Sequence, residues 1–315
     1  MPSIAKYLTD MLHKKEAEAP PPITTSTAVS FLVLYTVLYV APFYLSPKTR
    51  PSPTLSRDAP HVIRARIASV TLTCALTSLA TLAVLTRVGG HGVGAAVHEM
   101  GYWPAGLAES LRALLLTALL FLGPLFEYLV AEAGWRDWLA LEPLGRVWRE
   151  ITAWRNLVAG PLTEEILFRS ASVPLMVLAR TTLTRTIFVS PLVFGLAHVH
   201  HLYEFRVTHP GVPLAAALLR SAFQLGYTTL FGAYVTFVFL RSGSVLAVFG
   251  IHVLCNCMGL PRVWGRVEGW DRARGAVPLG AGWSVAYYVL LVAGAVGWWR
   301  QLWVLTESGN ALLPM

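Results

Sequence analysis

The sequence predicts an all-α fold, a polytopic bundle of about eight transmembrane helices. Of the 315 residues, 55% are hydrophobic and only 13% are charged, and the mean hydropathy is +0.56. So little polar surface cannot coat a water-soluble globule of this size. The apolar residues also form runs long enough to cross a bilayer, since a spanning helix needs about 20 of them. The chain is therefore predicted to lie in a membrane.

Eight apolar runs supply the predicted spans. They lie near residues 27–45, 66–87, 111–131, 156–179, 186–203, 214–240, 244–260 and 283–305. Residues 1–22 are predicted to be a polar N-terminal segment with a Pro-rich tether, and 306–315 a short tail. Residues 23–305 are predicted to form one transmembrane domain, whose chemically distinctive residues fall within 155–261.

Basic residues are concentrated in alternate loops. The formal net charge is +8, but the basic residues form short blocks between apolar runs and not one stripe. Anionic lipid headgroups are therefore the predicted counterpart, and nucleic acid is not. Most of these residues fall in the loops 46–65, 132–155, 204–213 and 261–282. The positive-inside rule predicts that these loops are cytosolic.

The fourth run places charged groups where apolar residues are expected. Glu164, Glu165 and Arg169 lie in it, and a charge near the bilayer centre costs roughly 2.5–3.5 kcal/mol, so such residues are candidates for function. On a helix Glu165 and Arg169 are i,i+4 neighbours, whereas Glu164 lies about 140° around the axis from Arg169. Arg169 can neutralise Glu165, and Glu164 is predicted to be a general base. The alternative is a buried ion-pair network that holds helices together.

Two further i,i+4 pairs bring polar groups into apolar runs. His198 shares a helix face with Phe194 in the fifth run, and His252 shares one with Asn256 in the seventh. An imidazole and a carboxamide can both donate hydrogen bonds, as an oxyanion hole requires. Each pair alone has a simpler interpretation, because histidine and asparagine also pack in cores and join membrane helices by hydrogen bonds.

Together these side chains predict the hydrolysis of an amide by water. Glu164 and His198 would deprotonate the water, while His252 and Asn256 would stabilise the charge that develops on the carbonyl oxygen. No metal or other cofactor is predicted. Residues 98–102 begin like a His-Glu-x-x-His zinc motif but lack its second histidine. A scattered zinc site built from Glu164, His198 and His252 stays chemically open.

A covalent nucleophile is a weaker interpretation of the sequence. Ser244 follows a glycine at a predicted helix junction and has no base nearby in sequence. Neither Cys255 nor Cys257 lies three or four residues from His252. The serine is therefore predicted to mark a turn and the cysteines to pack.

The motifs resemble those of the type II CAAX prenyl endopeptidases, within the wider group of Abi-type intramembrane proteases. The matched motifs are Glu-Glu-x-x-x-Arg at Glu164, Glu165 and Arg169, Phe-x-x-x-His at Phe194 and His198, and His-x-x-x-Asn at His252 and Asn256. The resemblance extends from about residue 155 to residue 261 and is looser over the other spans.

The resemblance implies a multi-pass enzyme of the endoplasmic reticulum membrane whose active site opens to the cytosol. It would remove the C-terminal tripeptide from farnesylated or geranylgeranylated CAAX proteins, such as Ras-type small GTPases, by a metal-independent glutamate mechanism. The roles it implies are water activation by Glu164 and His198, an oxyanion hole of His252 and Asn256, and support from Glu165, Arg169 and Phe194.

Two other classes of protein stay open at this point. A non-enzymatic membrane scaffold would keep the helices, but it would not need Glu164, His198, His252 and Asn256 together. A transporter could use Glu164 and Arg169 in an ion pathway. The sequence contains no inverted repeat that we can detect, and this disfavours the transporter.

Overall fold

The computed structural model of the chain describes residues 20–271 and 275–313. This part of the chain is a bundle of helices with one small hairpin, so the predicted helical membrane bundle is confirmed. Apart from residues 20–22, the predicted N-terminal segment lies outside the described residues.

Among the described residues, four helical stretches are long and apolar enough to cross a bilayer. They are Thr25–Leu45, Pro60–Arg87, Leu214–Ser242 and Ala281–Leu305. The pair Leu107–Leu120 and Leu122–Ala131, which is bent by 84°, adds a fifth if it counts as one span. The other three predicted runs are also helical, but they are broken or short.

The first half of the chain contributes eight α-helices and one π-helical segment within the described residues. They are α1 Thr25–Val40, α2 Pro42–Leu45, α3 Pro60–Arg87, α4 Val93–Glu99, α5 Leu107–Leu120, α6 Leu122–Phe126, the π segment Glu127–Ala131, α7 Trp135–Leu139 and α8 Glu142–Arg149. Thr24 caps α1 by accepting a hydrogen bond from the backbone N–H of Thr27 at 3.1 Å. Pro60 stands in the first turn of α3, where its missing N–H costs nothing.

The second half of the chain carries the predicted motifs. Its elements are α9 Ile151–Trp154, the π segment Arg155–Ala159, α10 Gly160–Glu165, the π segment Ile166–Ala171, α11 Val173–Leu178, α12 Leu183–Ala197, α13 His200–Thr208, α14 Leu214–Ser242, α15 Val245–Met258 and α16 Ala281–Leu305. Between α15 and α16, strand β1 Glu268–Asp271 pairs antiparallel with β2 Gly275–Pro278.

Three predicted runs are interrupted, and proline or serine accounts for two of the breaks. Pro124 cannot donate to the carbonyl of Leu120, so the run 111–131 bends between α5 and α6. In the run 156–179 two π segments flank α10, and Ser172 donates its hydroxyl to the carbonyl of Leu167 at 2.8 Å where the second one ends. The run 186–203 is divided between α12 and α13.

Helices α12 and α14 approach closely, and glycines allow this approach. A Cβ on Gly195 of α12 would lie 2.5 Å from Thr229 Oγ1, and one on Gly232 of α14 would lie 2.7 Å from Pro191 Cβ. The largest buried core joins α1, α3, the π segment Ile166–Ala171 and α12. This packing fixes the position of the motif-bearing helices relative to each other.

The outer faces of the long helices are apolar. Leu72, Leu76 and Leu79 follow one face of α3, and their side chains are 62%, 58% and 63% exposed. Exposed leucines at helical spacing are stable against lipid tails but not against water. These faces are therefore the surfaces that contact the bilayer.

Candidate active site

Glu165 and Arg169 form a buried ion pair at the end of α10. Glu165 is fully buried, and its Oε1 accepts a hydrogen bond from Arg169 Nη1 at 3.0 Å. Arg169 also donates from Nη2 to the carbonyl of Gly232 at 3.3 Å, and its guanidinium lies 4.9 Å from the centre of the Phe194 ring. The i,i+4 pair expected from the spacing is therefore present, and it joins α10 to α12 and α14.

Glu164 faces a different environment from its neighbour. The side chain of Glu164 is 23% exposed, and its Oε2 lies 3.9 Å from His252 Nε2. Within the described part of the chain, no arginine or lysine pairs with it. Glu164 thus lies beside an imidazole and, among the described residues, has no arginine or lysine partner, as the helical geometry predicts.

His252 of α15 bridges the two glutamates. Its Nδ1 lies 2.6 Å from Glu165 Oε1, and Phe231 stacks edge-on against the ring at 4.8 Å. An ionised carboxylate only accepts hydrogen bonds, so this contact places a proton on Nδ1. Nε2 is left facing Glu164.

His198 lies just after α12, and its ring orientation is fixed by its own helix. Its Nδ1 lies 3.0 Å from the carbonyl oxygen of Phe194, and the Phe194 ring meets the imidazole edge-on at 4.8 Å. A carbonyl only accepts, so Nδ1 carries the proton. The Nε2 of a neutral His198 therefore has a free lone pair that can accept a proton.

Asn256 lies near the C-terminal end of α15 with an exposed side chain. Its Nδ2 donates a hydrogen bond to the backbone carbonyl of Asn156 at 2.9 Å. Within residues 20–271 and 275–313, the second amide N–H of Asn256 has no hydrogen-bond partner. Sequence reasoning did not single out Asn156, because its contact with Asn256 joins residues 100 positions apart.

One cavity of about 940 Å³ brings the four candidate catalytic residues together. Glu164, His198, His252 and Asn256 all line it, whereas Glu165 and Arg169 do not and lie behind its wall. Aromatic side chains form much of the remaining surface, and these are Tyr39, Phe43, Phe121, Phe168, Phe194, Tyr227, Phe231, Tyr234 and Trp298. The cavity therefore combines acid–base groups with a large apolar surface.

A second polar cluster borders the cavity, and sequence reasoning missed it. Glu204 is held by Arg66 at 2.5 Å, by His201 at 3.0 Å and by Arg57 at 3.4 Å. Burial would raise the pKa of Glu204, but hydrogen bonds from His201 and Arg66 and the charges of the arginines lower it to about 2. The i,i+3 spacing of His201 and Glu204 is the one local signal in the sequence, since both arginines come from before or within α3.

Ser244, Cys255 and Cys257 are the alternative nucleophiles considered from the sequence, and the structure places each of them differently. Ser244 caps α15 by accepting from the N–H of Ala247 at 3.1 Å, and it donates to the carbonyl of Ala105 at 2.7 Å. Cys255 lines the cavity and Cys257 does not. The hydroxyl of Ser244 is thus engaged in helix capping, as its sequence context predicts.

A metal site has little geometric support among the described residues. There, His200, His201 and Glu204 form the one trio whose ligand atoms lie within 4.8 Å of one another. A cation at this trio would have to compete with Arg57 and Arg66 for the carboxylate of Glu204. The scattered site of Glu164, His198 and His252 does not reach this closeness in the described part of the chain.

Comparisons with known proteins point to one family. A family profile described as type II CAAX prenyl endopeptidase Rce1-like matches residues 146–258. The chain is 34% identical to the probable CAAX prenyl protease 2 of Schizosaccharomyces pombe over 88% of this chain and 92% of that protein. It is 34% identical to CAAX prenyl protease 2 of Homo sapiens over 76% of this chain and 72% of that protein. It is 28% identical to CAAX prenyl protease 2 of Saccharomyces cerevisiae over 85% of this chain and 92% of that protein. No solved structure gives a significant match to the chain.

Proposed function

The chain belongs to the type II CAAX prenyl endopeptidase family, and we propose that it removes the C-terminal tripeptide from farnesylated or geranylgeranylated CAAX proteins by means of an activated water. The observation that carries this proposal is the arrangement of Glu164, His198, His252 and Asn256 around a single cavity. In this arrangement, the orientations of both imidazole rings are fixed. The Nδ1 of His198 is hydrogen-bonded to the carbonyl of Phe194, and the Nδ1 of His252 is hydrogen-bonded to Glu165.

The proposed reaction begins with a water held between Glu164 and the Nε2 of His198. These groups take a proton from the water as its oxygen attacks the carbonyl carbon of the scissile peptide bond. The carbonyl oxygen then becomes an oxyanion. As the tetrahedral intermediate collapses, the C–N bond breaks and the proton passes to the departing amine of the tripeptide. One water is consumed, and no covalent enzyme intermediate is needed.

The oxyanion is proposed to be stabilised by His252 and Asn256. Asn256 has an amide N–H that is not used by Asn156. The Nε2 of His252 lines the same cavity and lies 3.9 Å from Glu164 Oε2, and it donates when both ring nitrogens carry a proton. Donors of this kind, fixed before the reaction, supply a large share of the rate enhancement in peptide hydrolysis.

The aromatic surface of the cavity supports a prenylated substrate. A prenyl chain stabilises its complex by about 0.8 kcal/mol per buried methylene-sized group, and the cavity places Phe43, Phe168 and Phe231 where such a chain can pack. The lipid is proposed to enter from the bilayer and the peptide from the cytosolic side, into which the basic loops are predicted to face. Ras-type small GTPases at the endoplasmic reticulum membrane are the proposed protein substrates.

The reaction is proposed to need no metal. Glu164 and His198 suffice to activate water, and the mechanism uses the protein's own hydrogen-bond donors to stabilise the oxyanion.

The experiment that tests the proposal is cleavage of a farnesylated CAAX peptide by the purified protein in lipid nanodiscs. We expect release of the intact tripeptide, identified by mass spectrometry, and far less efficient cleavage of the same peptide without the farnesyl group. Comparable efficiency for the two peptides would contradict the lipid part of the proposal. Cleavage at another bond would contradict the assigned position.

A further inference from the structure

Three arginines line the same cavity as the candidate catalytic residues, and the proposed mechanism uses none of them. They are Arg57, Arg66 and Arg155. The first belongs to the loop before α3, the second to α3 and the third to the π segment before α10. A guanidinium that faces a cavity and is not needed for catalysis is a candidate for binding a negatively charged part of the substrate.

Two of these arginines are held by partners of their own. Arg66 donates from Nη2 to the carbonyl of Thr49 at 2.9 Å and to Glu204, and only 12% of its side chain is exposed. Arg155 donates from Nη1 to Asp58 Oδ1 at 2.7 Å and from Nε to the side chain of Asn156 at 2.9 Å. Both therefore act first as structural links around the cavity.

Arg57 has the weakest engagement of the three. Within the described residues, its side chain makes one polar contact, to Glu204 Oε2 at 3.4 Å, and 48% of that side chain is exposed. A guanidinium carries five N–H donors, so most of those of Arg57 are free to bind a ligand. Three guanidinium groups here face two carboxylates, of Glu204 and Asp58, which leaves an excess positive charge at this end of the cavity.

Contacts on two sides link Arg57 to the candidate site. On one side, its carbonyl accepts from Arg155, whose neighbour Asn156 accepts from Asn256. On the other side, its partner Glu204 binds His201, whose ring centre lies 5.8 Å from that of His198. Arg57 therefore lies at the rim of the cavity between the two halves of the proposed site.

We propose that Arg57 binds the free α-carboxylate of the substrate's last residue and so sets the cleavage position three residues from the chain end. This inference rests on the proposed function. A three-residue peptide spans roughly 10 Å at most, so the proposal requires the scissile carbonyl to lie within that distance of Arg57. The contacts that join Arg57 to His198 through Glu204 and His201 support this placement. A guanidinium and a carboxylate form two parallel hydrogen bonds, which fix orientation as well as position.

The test compares two farnesylated CAAX peptides that differ only in ending as a carboxylate or as a carboxamide. We expect wild-type protein to cleave the carboxylate peptide with a kcat/KM about 10- to 100-fold higher, mainly through KM, because a charge-assisted pair is lost with the amide. Arg57→Gln should lose this preference by weakening cleavage of the carboxylate peptide alone. Arg57→Lys should keep part of it. Arg50→Gln is the matched control, since Arg50 is exposed in the same loop and does not line the cavity.

The outcomes separate this inference from the proposed function. Equal cleavage of both peptides by the wild type would overturn the role of a carboxylate anchor and leave the protease intact. An Arg57→Gln variant that weakens both peptides equally would assign Arg57 to folding and not to substrate binding. Cleavage of neither peptide by the wild type would overturn the proposed function itself, and this inference with it.

Discussion

The two histidines of the candidate site are held in the same way but by different acceptors. His198 donates a hydrogen bond from Nδ1 to a backbone carbonyl, whereas His252 donates one from Nδ1 to the carboxylate of Glu165. The carbonyl partner of His198 fixes a proton on Nδ1, so the Nε2 of the neutral ring has a lone pair that can accept a proton. The carboxylate partner of His252 fixes a proton on Nδ1 and leaves Nε2 facing Glu164. The proposed base role of His198 and the proposed oxyanion role of His252 both use the Nε2 atoms that these contacts leave available.

We predict that His252→Ala and Asn256→Ala each lower kcat by about a hundredfold, the usual effect of losing one oxyanion donor. The substrate should bind almost as well, because the donors act on charge that develops only in the transition state. Steady-state kinetics with the farnesylated peptide measure this. A change in KM with kcat unchanged would assign both residues to substrate binding.

We predict that Glu165→Gln destabilises the protein much more than Glu164→Gln does. Loss of the Glu165 charge leaves Arg169 buried without its counter-ion, which costs about 3–5 kcal/mol. Thermal unfolding of the two variants in the same detergent, monitored by tryptophan fluorescence, measures this difference. The double variant Glu165→Leu/Arg169→Met is the control, and it should be more stable than Glu165→Gln because no uncompensated charge is left. If Glu165→Gln were stable and inactive while Glu164→Gln kept its activity, the two roles would have to be exchanged.

For individual residues, the sequence predicts contacts within one helix but not contacts between helices. The pairing of Glu165 with Arg169 follows from i,i+4 spacing alone. The bond between Glu165 and His252 joins residues 87 positions apart, and no local pattern predicts it. The spacing therefore indicates which glutamate is neutralised, but not that the same glutamate orients a histidine.

The segment that carries the two glutamates is not a regular helix. Helix α10 is only six residues long and stands between the π segments Arg155–Ala159 and Ile166–Ala171. Such bulges are frequent at functional sites, because they change the direction of side chains within one helix. Hydrophobic periodicity predicts the helical run, but the wider π turns depend on Pro161, Ser172 and packing with α3. Their positions could not be predicted from the periodicity.

We predict that Gly195→Ala lowers both stability and turnover. The new Cβ would lie 2.5 Å from Thr229 Oγ1 and 2.8 Å from Leu225 Cδ1, so these side chains must leave their positions or α12 and α14 must separate, at a cost of about 1–3 kcal/mol. His198 follows α12 and would move with it. Gly226→Ala on α14 is the matched control, because nothing lies within 4 Å of its added Cβ. Equal behaviour of the two variants in unfolding and turnover assays would contradict the role of this close approach.

At the scale of the whole molecule, the bundle presents apolar faces to the bilayer and encloses polar groups. The exposed leucines of α3 and the buried pair of Glu165 and Arg169 illustrate the two extremes. Composition predicts this division well, because each charge must find a partner or line a cavity where lipid replaces water. It does not predict the cavity itself, whose walls come from helices that are distant in sequence.

We predict that activity does not depend on an added metal. Protein dialysed against a strong chelator should keep its rate of tripeptide release, because the proposed base and oxyanion donors are side chains. Assays with and without chelator measure this directly. Loss of activity that zinc restores would favour the scattered site and make Glu164 a ligand.

The central claim is that Glu164 activates the water that cleaves the prenylated chain. The most direct measurement is the rate of tripeptide release by purified Glu164→Gln, with Glu307→Gln, an exposed glutamate outside the cavity, as the matched control. We predict that Glu164→Gln retains its expression, membrane insertion and unfolding temperature but loses cleavage of the farnesylated peptide, whereas Glu307→Gln cleaves at the wild-type rate. Near-wild-type turnover by a folded Glu164→Gln protein would contradict the account.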